Sequence, residues 1–182
     1  MEETARQELT DLVRKMKNDQ NTYFPPFYEK TKSQVYYLIL SYVRNTAVAE
    51  DLLQDTYLSF LRSLSKLSVQ KNPVAYLLTS AKNHAIDSLR EQTKFVDDGD
   101  EILDYVGASE FIYDDSDGLL KRIAQLLNPL EFRTYALHVL GDMSFQEIAA
   151  IVHRPLGTLT YTYSTAIHKL QKGLDSDGNI RV

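Results

Sequence analysis

The sequence predicts an all-α protein: two small helical domains joined by an acidic, flexible linker, the second containing a helix-turn-helix. Three observations predict it. Apolar residues recur at helical spacing through nearly all of the chain. Helix-start signatures interrupt that periodicity, each a cap residue followed by proline or by glutamate three positions on. Residues 95–118 carry nine acidic side chains and no basic one, against a net charge of −5 for the whole chain. The blocks on either side, residues 23–94 and 119–182, are mildly basic at +3 and +2. Segregation of this kind says more about partners than the net value does.

Residues 1–22 read as an N-terminal helical extension. Its helix, residues 4–17, sets Ala5, Leu9, Leu12, Val13 and Met16 on one face. That face needs a cover, which the first domain, a second copy or a regulator would supply. The Tyr23-Phe24-Pro25-Pro26 stretch is expected to break the chain, because proline has no N–H to continue a helix.

The first domain spans residues 23–94. A helix from about Phe27 to Arg44 carries Val35, Leu38, Ile39, Tyr42 and Val43 as its apolar stripe. Asn45-Thr46 caps a third helix, from about Ala47 to Leu64, with Glu50 and Asp51 near its positive end. Its apolar stripe is Leu53, Tyr57, Phe60, Leu61 and Leu64. A polar loop runs from Ser65 to Lys71. Asn72-Pro73 then starts a fourth helix reaching about Glu91, with Val74, Leu77, Leu78, Ala81, Ala85 and Leu89 inward.

Residues 95–118 hold three glycines and little periodicity, so they read as a linker with a short helical turn near Ile102 to Val106. The second domain spans residues 119–175 and leaves a tail at 176–182. It opens with a helix at Leu119 to Leu127. Asn128-Pro129-Leu130-Glu131 is a capping-box pattern, and its helix ends near Gly141 as a C-cap. Ser144-Phe145-Gln146-Glu147 repeats the box. A short helix to about Val152, a turn at His153-Arg154-Pro155 and a helix from Leu156 to about Lys172 complete a helix-turn-helix. Ile148, Ala149, Ile151, Leu159, Ala166, Ile167 and Leu170 are its expected core.

Composition excludes several function classes. The chain has no cysteine, so disulfides and thiolate metal sites are impossible. His84, His138, His153 and His168 show no ligand spacing, and no Glu-x-x-His pair, glycine-rich phosphate loop or nucleophile motif occurs. A metal held by Glu50, Asp51 and Asp55 would need such a histidine. No enzymatic activity and no cofactor are expected. Met1-Glu2-Glu3 begins an acidic stretch unlike a signal peptide, and no apolar run approaches a membrane span. A cytoplasmic location follows as the expectation.

Three segments, in order, resemble the extracytoplasmic-function sigma factors of bacterial RNA polymerase. Ala49-Glu50-Asp51-Leu52-Leu53-Gln54-Asp55-Thr56-Tyr57 resembles the family's polymerase-binding helix. Asn72-Pro73-Val74-Ala75-Tyr76-Leu77-Leu78-Thr79-Ser80-Ala81-Lys82-Asn83, continuing to Asp87 and Arg90, resembles the helix that melts and reads the upstream edge of the transcription bubble. Leu127-Asn128-Pro129 through Ser144-Phe145-Gln146-Glu147-Ile148-Ala149 to Gly157-Thr158-Leu159 resembles the helix-turn-helix that reads the minus-thirty-five element. The resemblance covers roughly residues 25–92 and 119–173.

The resemblance implies roles for particular side chains. Glu50, Asp51, Gln54 and Asp55 would dock on the basic coiled coil of the polymerase's largest subunit. Lys71, Tyr76, Ser80, Lys82, Asn83, Asp87 and Arg90 would bind the minus-ten element, as an aromatic, amides and cations suit single-stranded bases and phosphates. Lys94 would add a phosphate contact, and the Ser65 to Lys71 loop would hold a flipped-out base. Thr158, Thr160, Tyr161, Ser164, Thr165, His168 and Lys169 would read upstream duplex. The acidic linker would thread the polymerase's positive interior. Core RNA polymerase, promoter DNA as duplex and single strand, and an anti-sigma factor are the implied partners.

The last helix departs from the family pattern. The family's arginines and lysines are nearly absent at Thr160, Thr162, Thr165, Ile167 and His168. Each lost phosphate contact flattens the salt dependence of binding by about 0.9. A regulator that acts without melting a promoter is the alternative this departure raises, and the first two segments weigh against it.

Overall fold

The computed structural model describes residues 2–67, 72–93 and 118–174. The described residues are built from helices. They are α1 (Glu2–Met16), α2 (Gln20–Val43), α3 (Thr46–Ser63), α4 (Pro73–Thr93), α5 (Gly118–Leu126), α6 (Pro129–Tyr135), α7 (Phe145–Val152) and α8 (Leu156–Gly173). A single π-helical turn, Ala136–Leu140, continues α6.

The prolines do not break the chain. Asp19 caps α2 by accepting the Thr22 N–H, and the helix runs on through Pro25 and Pro26. Each proline removes one backbone donor. The carbonyls released are those of Asn21 and Thr22, both exposed, so water satisfies them. The aromatic side chains beside the prolines hold the segment down. Phe24 and Tyr28 both meet the Tyr57 ring edge-on, and Phe27 stacks on Phe60 at 5.3 Å.

Helices α1 to α4 enclose one core around Phe27, Val35, Leu38, Phe60 and Leu77, all fully buried. The cover of the N-terminal helix is this first domain. Val13 and Met16 are buried in its core, Leu9 and Leu12 pack against it, and Glu8 pairs with Lys30 of α2 at 3.1 Å. Asn45 caps α3 through the Val48 N–H, as its position in the sequence predicts.

Both capping boxes of the second domain form completely. Asn128 Oδ1 accepts the Glu131 N–H and Glu131 Oε2 accepts the Asn128 N–H, each at 2.9 Å. Ser144 and Glu147 make the same reciprocal pair. Gly141 ends the π turn with ordinary right-handed angles (φ −86°). It must be glycine for a steric reason: a Cβ there would lie 2.8 Å from the Leu137 carbonyl oxygen. The left-handed residue is the next one, Asp142, at φ 52°. His153 turns the chain between α7 and α8, also left-handed at φ 53°.

Helices α6 to α8 pack on α1 to α4. Leu137, Met143, Ile148, Ile151, Val152 and Leu159 join the same apolar cluster as α1 to α4. Helix α2 packs against α6 and the π turn, and α4 packs against α7.

Candidate functional site

Helix α3 is two-sided. Thr56, Tyr57 and Phe60 face the core, and the Tyr57 hydroxyl lies 2.6 Å from Thr31 Oγ1. Burial pushes the Tyr57 phenol far above its ordinary pKa, so the ring stays neutral. This anchoring turns Glu50, Asp51, Gln54 and Asp55 outward, and all four are exposed. Leu58 continues the face and is 52% exposed. The sequence reading missed Leu58; the spacing 51, 54, 55, 58 was its available signal. The outer face is therefore a set of acids and an amide around one open apolar side chain. Glu50 also adds to the effect of burial in raising the Tyr36 pKa.

Helix α4 is braced on α3 by His84 Nδ1, 3.1 Å from Thr56 Oγ1. That contact and the buried Leu77, Ala81, Ala85 and Leu89 set which face of α4 points inward. Tyr76, Asn83, Asp87 and Arg90 then lie exposed, with Ser80 half-buried among them. The Tyr76 hydroxyl donates to Ser63 Oγ at 3.3 Å, which holds one edge of the ring while 44% of the residue stays open. Arg90 and Asp87 approach to 3.7 Å.

Lys82 differs from the expectation. It is one position off the open face and only 5% exposed, so in this arrangement it presents no ammonium to solvent. Lys71, Lys94, most of the acidic linker and the end of the Ser65 to Lys71 loop lie outside the described residues.

Helix α8 exposes Thr158, Thr160, Ser164 and His168, with Tyr161 the most open at 75%; Thr165 is half-buried. Its hydroxyl hydrogens turn inward. Thr160 Oγ1 donates to the Gly157 carbonyl at 3.1 Å, and Ser164 and Thr165 donate to the carbonyls four residues back at 3.0 Å. Lys169, expected on duplex, is held instead by Glu131 at 2.7 Å. The reason is electrostatic: Glu131 is 4% exposed, and a buried carboxylate takes the nearest cation. Thr162 is buried too, so a cation there would have no route to a phosphate.

A half-buried aromatic group joins the π turn, α7 and α8. His138 stacks on Phe145 at 4.2 Å and meets Tyr163 edge-on. Its Nδ1 lies 2.8 Å from the Met143 carbonyl, which can only accept, so Nδ1 carries the proton. The sequence reading gave His138 no such role. Among the described residues, no group of three or more histidine, aspartate or glutamate side chains is placed to hold a metal ion. No helix among them is long and apolar enough to cross a membrane.

Comparison with known proteins places this arrangement. Residues 27–95 match the family model for sigma-70 region 2. The chain is 34% identical over 84 residues to the ECF RNA polymerase sigma factor SigK of Mycobacterium tuberculosis, a match covering 46% of this chain and 45% of that protein. It is 37% identical over 113 residues to RNA polymerase sigma factor CarQ of Myxococcus xanthus, covering 60% and 64%. The SigK of Mycobacterium ulcerans is 25% identical over 181 residues, covering 93% and 95%. The chain spans about half the length of the first of these curated relatives. The solved sigma factor RpoE of Bartonella quintana, in complex with the anti-sigma factor NepR, shares the fold with a TM-score of 0.59 at 22% identity, over 81% of this chain and 94% of that one. Helices α2 to α4 thus match sigma-70 region 2, and over part of its length the chain is similar to RNA polymerase sigma factors of the extracytoplasmic-function kind.

Proposed function

We propose that the protein binds core RNA polymerase and directs it to promoters, opening the duplex without any catalytic activity of its own. It acts where the polymerase is, in the cytoplasm. The observation that carries this reading is the two-sidedness of α3 and α4. Buried contacts of Tyr57 and His84 turn four polar residues of α3 and a ring, an amide and a charged pair of α4 to solvent. The acidic face of α3 suits a basic partner surface. The face of α4 suits unstacked bases, which stack on Tyr76 and take hydrogen bonds from Asn83.

In this reading Glu50, Asp51, Gln54, Asp55 and Leu58 hold the polymerase. Tyr76, Ser80, Asn83, Asp87 and Arg90 hold the opened minus-ten element. Thr158, Thr160, Tyr161, Ser164, Thr165 and His168 read upstream duplex with the polymerase's help. The test is association with core polymerase. The double substitution Asp51→Lys and Asp55→Lys should weaken it strongly with helix content unchanged, and unchanged affinity would remove α3 as the docking site.

A further inference from the structure

Two side-chain hydrogen bonds cross between α3 and α4 in one antiparallel register. Thr56 meets His84; two turns on along α3, Ser63 meets Tyr76, two turns back along α4. The two contacts differ in setting. Thr56 is fully buried, so the first is a brace inside the seam. The second closes the open end of the seam, where Tyr76 is 44% exposed.

The direction of the second bond is fixed by a third. Ser63 Oγ donates its one hydrogen to the Ser59 carbonyl at 3.0 Å, so toward Tyr76 it can only accept. The Tyr76 hydroxyl is therefore the donor, and its one hydrogen is occupied. The ring is held on its other sides as well. Asn72 accepts the Val74 and Ala75 N–H groups, which closes the turn of α4 that carries Tyr76. The Phe60 ring lies 6.4 Å away at 45°, and Phe60 is fully buried and stacked on Phe27. What stays open is aromatic surface that is already oriented and has no free donor.

We propose that Ser63 is a positioning residue for single-stranded DNA. It holds Tyr76 as a preformed stacking platform for one unstacked base, and by taking the phenol hydrogen it leaves that platform to grip a base by its face and not by its edge. The inference rests on the function proposed above, in which α4 takes the opened strand. Stacking tolerates any base, because every base has a π-face. Reading an edge takes hydrogen-bonding groups, and Asn83, exposed two turns further along α4, keeps its amide for that. Platform and reader are thus separate side chains on one helix face.

The test uses holoenzyme assembled from core polymerase and the full chain. The probe is a single-stranded oligonucleotide selected from a random pool for capture by the parent holoenzyme, with versions in which each nucleotide in turn lacks its base. Ser63→Ala should weaken capture about two- to tenfold, the penalty for ordering one side chain on binding. Ser63→Thr, which keeps the hydroxyl, should restore it. Tyr76→Phe should lose as much as Ser63→Ala, and the double variant should lose no more than either. On the version lacking the stacked base, parent and Ser63→Ala should bind equally, a result that a merely structural role for Ser63 would not give. Ser63→Ala should keep the parent's helix content and its affinity for core polymerase. Should it lose helix content, Tyr76→Phe removes the same hydrogen bond from the α4 side and decides alone. Undiminished capture by Ser63→Ala, with capture lost in Tyr76→Ala, overturns the positioning role and leaves the function standing. Additive losses in the double variant also overturn it, since the phenol would then contact DNA directly. Capture undiminished by Tyr76→Ala refutes α4 as the strand-binding face, and this proposal with it.

Discussion

The ammonium of Lys169 sits 2.7 and 2.8 Å from the two carboxylate oxygens of Glu131. Glu131 already closes the capping box of α6, so this ion pair ties the start of α6 to the end of α8 across the second domain. Lys169 is consequently a fastener between α6 and α8. Lys169→Met should destabilise the second domain by about 1–3 kcal/mol, the scale of a charge-assisted hydrogen bond to a buried acceptor. It should leave the salt slope of promoter binding unchanged, where loss of one phosphate contact lowers it by about 0.9. Thermal melts and a salt titration of the same variant check both halves.

Tyr57 and Thr31 give an asymmetric pair of substitutions. Thr31 Oγ1 donates its only hydrogen to the Phe27 carbonyl at 2.8 Å, so the Tyr57 hydroxyl is the donor in the 2.6 Å contact between them. Tyr57→Phe removes that donor and leaves Thr31 satisfied, at a cost of about 0.5–1.5 kcal/mol. Thr31→Val strands a buried hydroxyl and should cost more, about 1–3 kcal/mol. Urea unfolding of the two variants decides the order.

The same phenol predicts an alkaline dependence. Its folded pKa lies well above the ordinary value of 10.0. Above pH 10 the unfolded chain releases this proton and the folded chain keeps it, so stability falls as pH rises. The contribution is at most about 1.4 kcal/mol per pH unit. Comparing the parent with Tyr57→Phe isolates it, since all other alkaline groups cancel. The variant should lose stability less steeply above pH 10, and parallel curves would refute the buried-phenol account.

Local rules carried much of the fold from sequence. Asn45, Asn128 and Ser144 cap helices through contacts within three residues, and such contacts do not depend on the rest of the molecule. Pro25 and Pro26 misled because aromatic packing of Phe24, Phe27 and Tyr28 overrides a local penalty. Leu40 and Arg44 lie off the stripe that marks the first core, and only docking of the second domain makes them interior. The open faces of α3 and α4 were legible because each is the complement of an apolar stripe. Lys82 and Lys169 were not, because charge alone does not tell a solvated cation from one drawn inward by neighbours.

Helix α8 should bind duplex weakly on its own. The hydroxyl hydrogens of Thr160, Ser164 and Thr165 are directed at backbone carbonyls, which leaves lone pairs and methyl groups outward. Phosphates require donors. The free protein should therefore bind promoter duplex more weakly than about micromolar at physiological salt, within the non-specific range. The double substitution Thr160→Arg and Ser164→Arg should tighten binding and steepen the salt slope by about 0.9 for each new contact. Sub-micromolar affinity of the unsubstituted protein would favour a stand-alone duplex regulator instead.

On the function proposed above, the open faces of α4 and α8 should separate cleanly by substitution. Asn83 is exposed on α4, and its amide can make two hydrogen bonds to a base edge. Asn83→Ala should cost about 1–3 kcal/mol in capture of a single-stranded minus-ten oligonucleotide by the holoenzyme. It should impair transcription from a closed promoter and also from a template pre-melted downstream of the upstream element. Tyr161 stands open on α8, some distance along the chain and on the other domain. Tyr161→Ala and Thr165→Ala should weaken footprint protection of the upstream element and leave oligonucleotide capture intact. Neither Asn83 nor Tyr161 is buried, so the variants should keep the parent's helix content and melting temperature. The reverse pattern, with capture surviving Asn83→Ala and abolished by Tyr161→Ala, would exchange the roles assigned to α4 and α8.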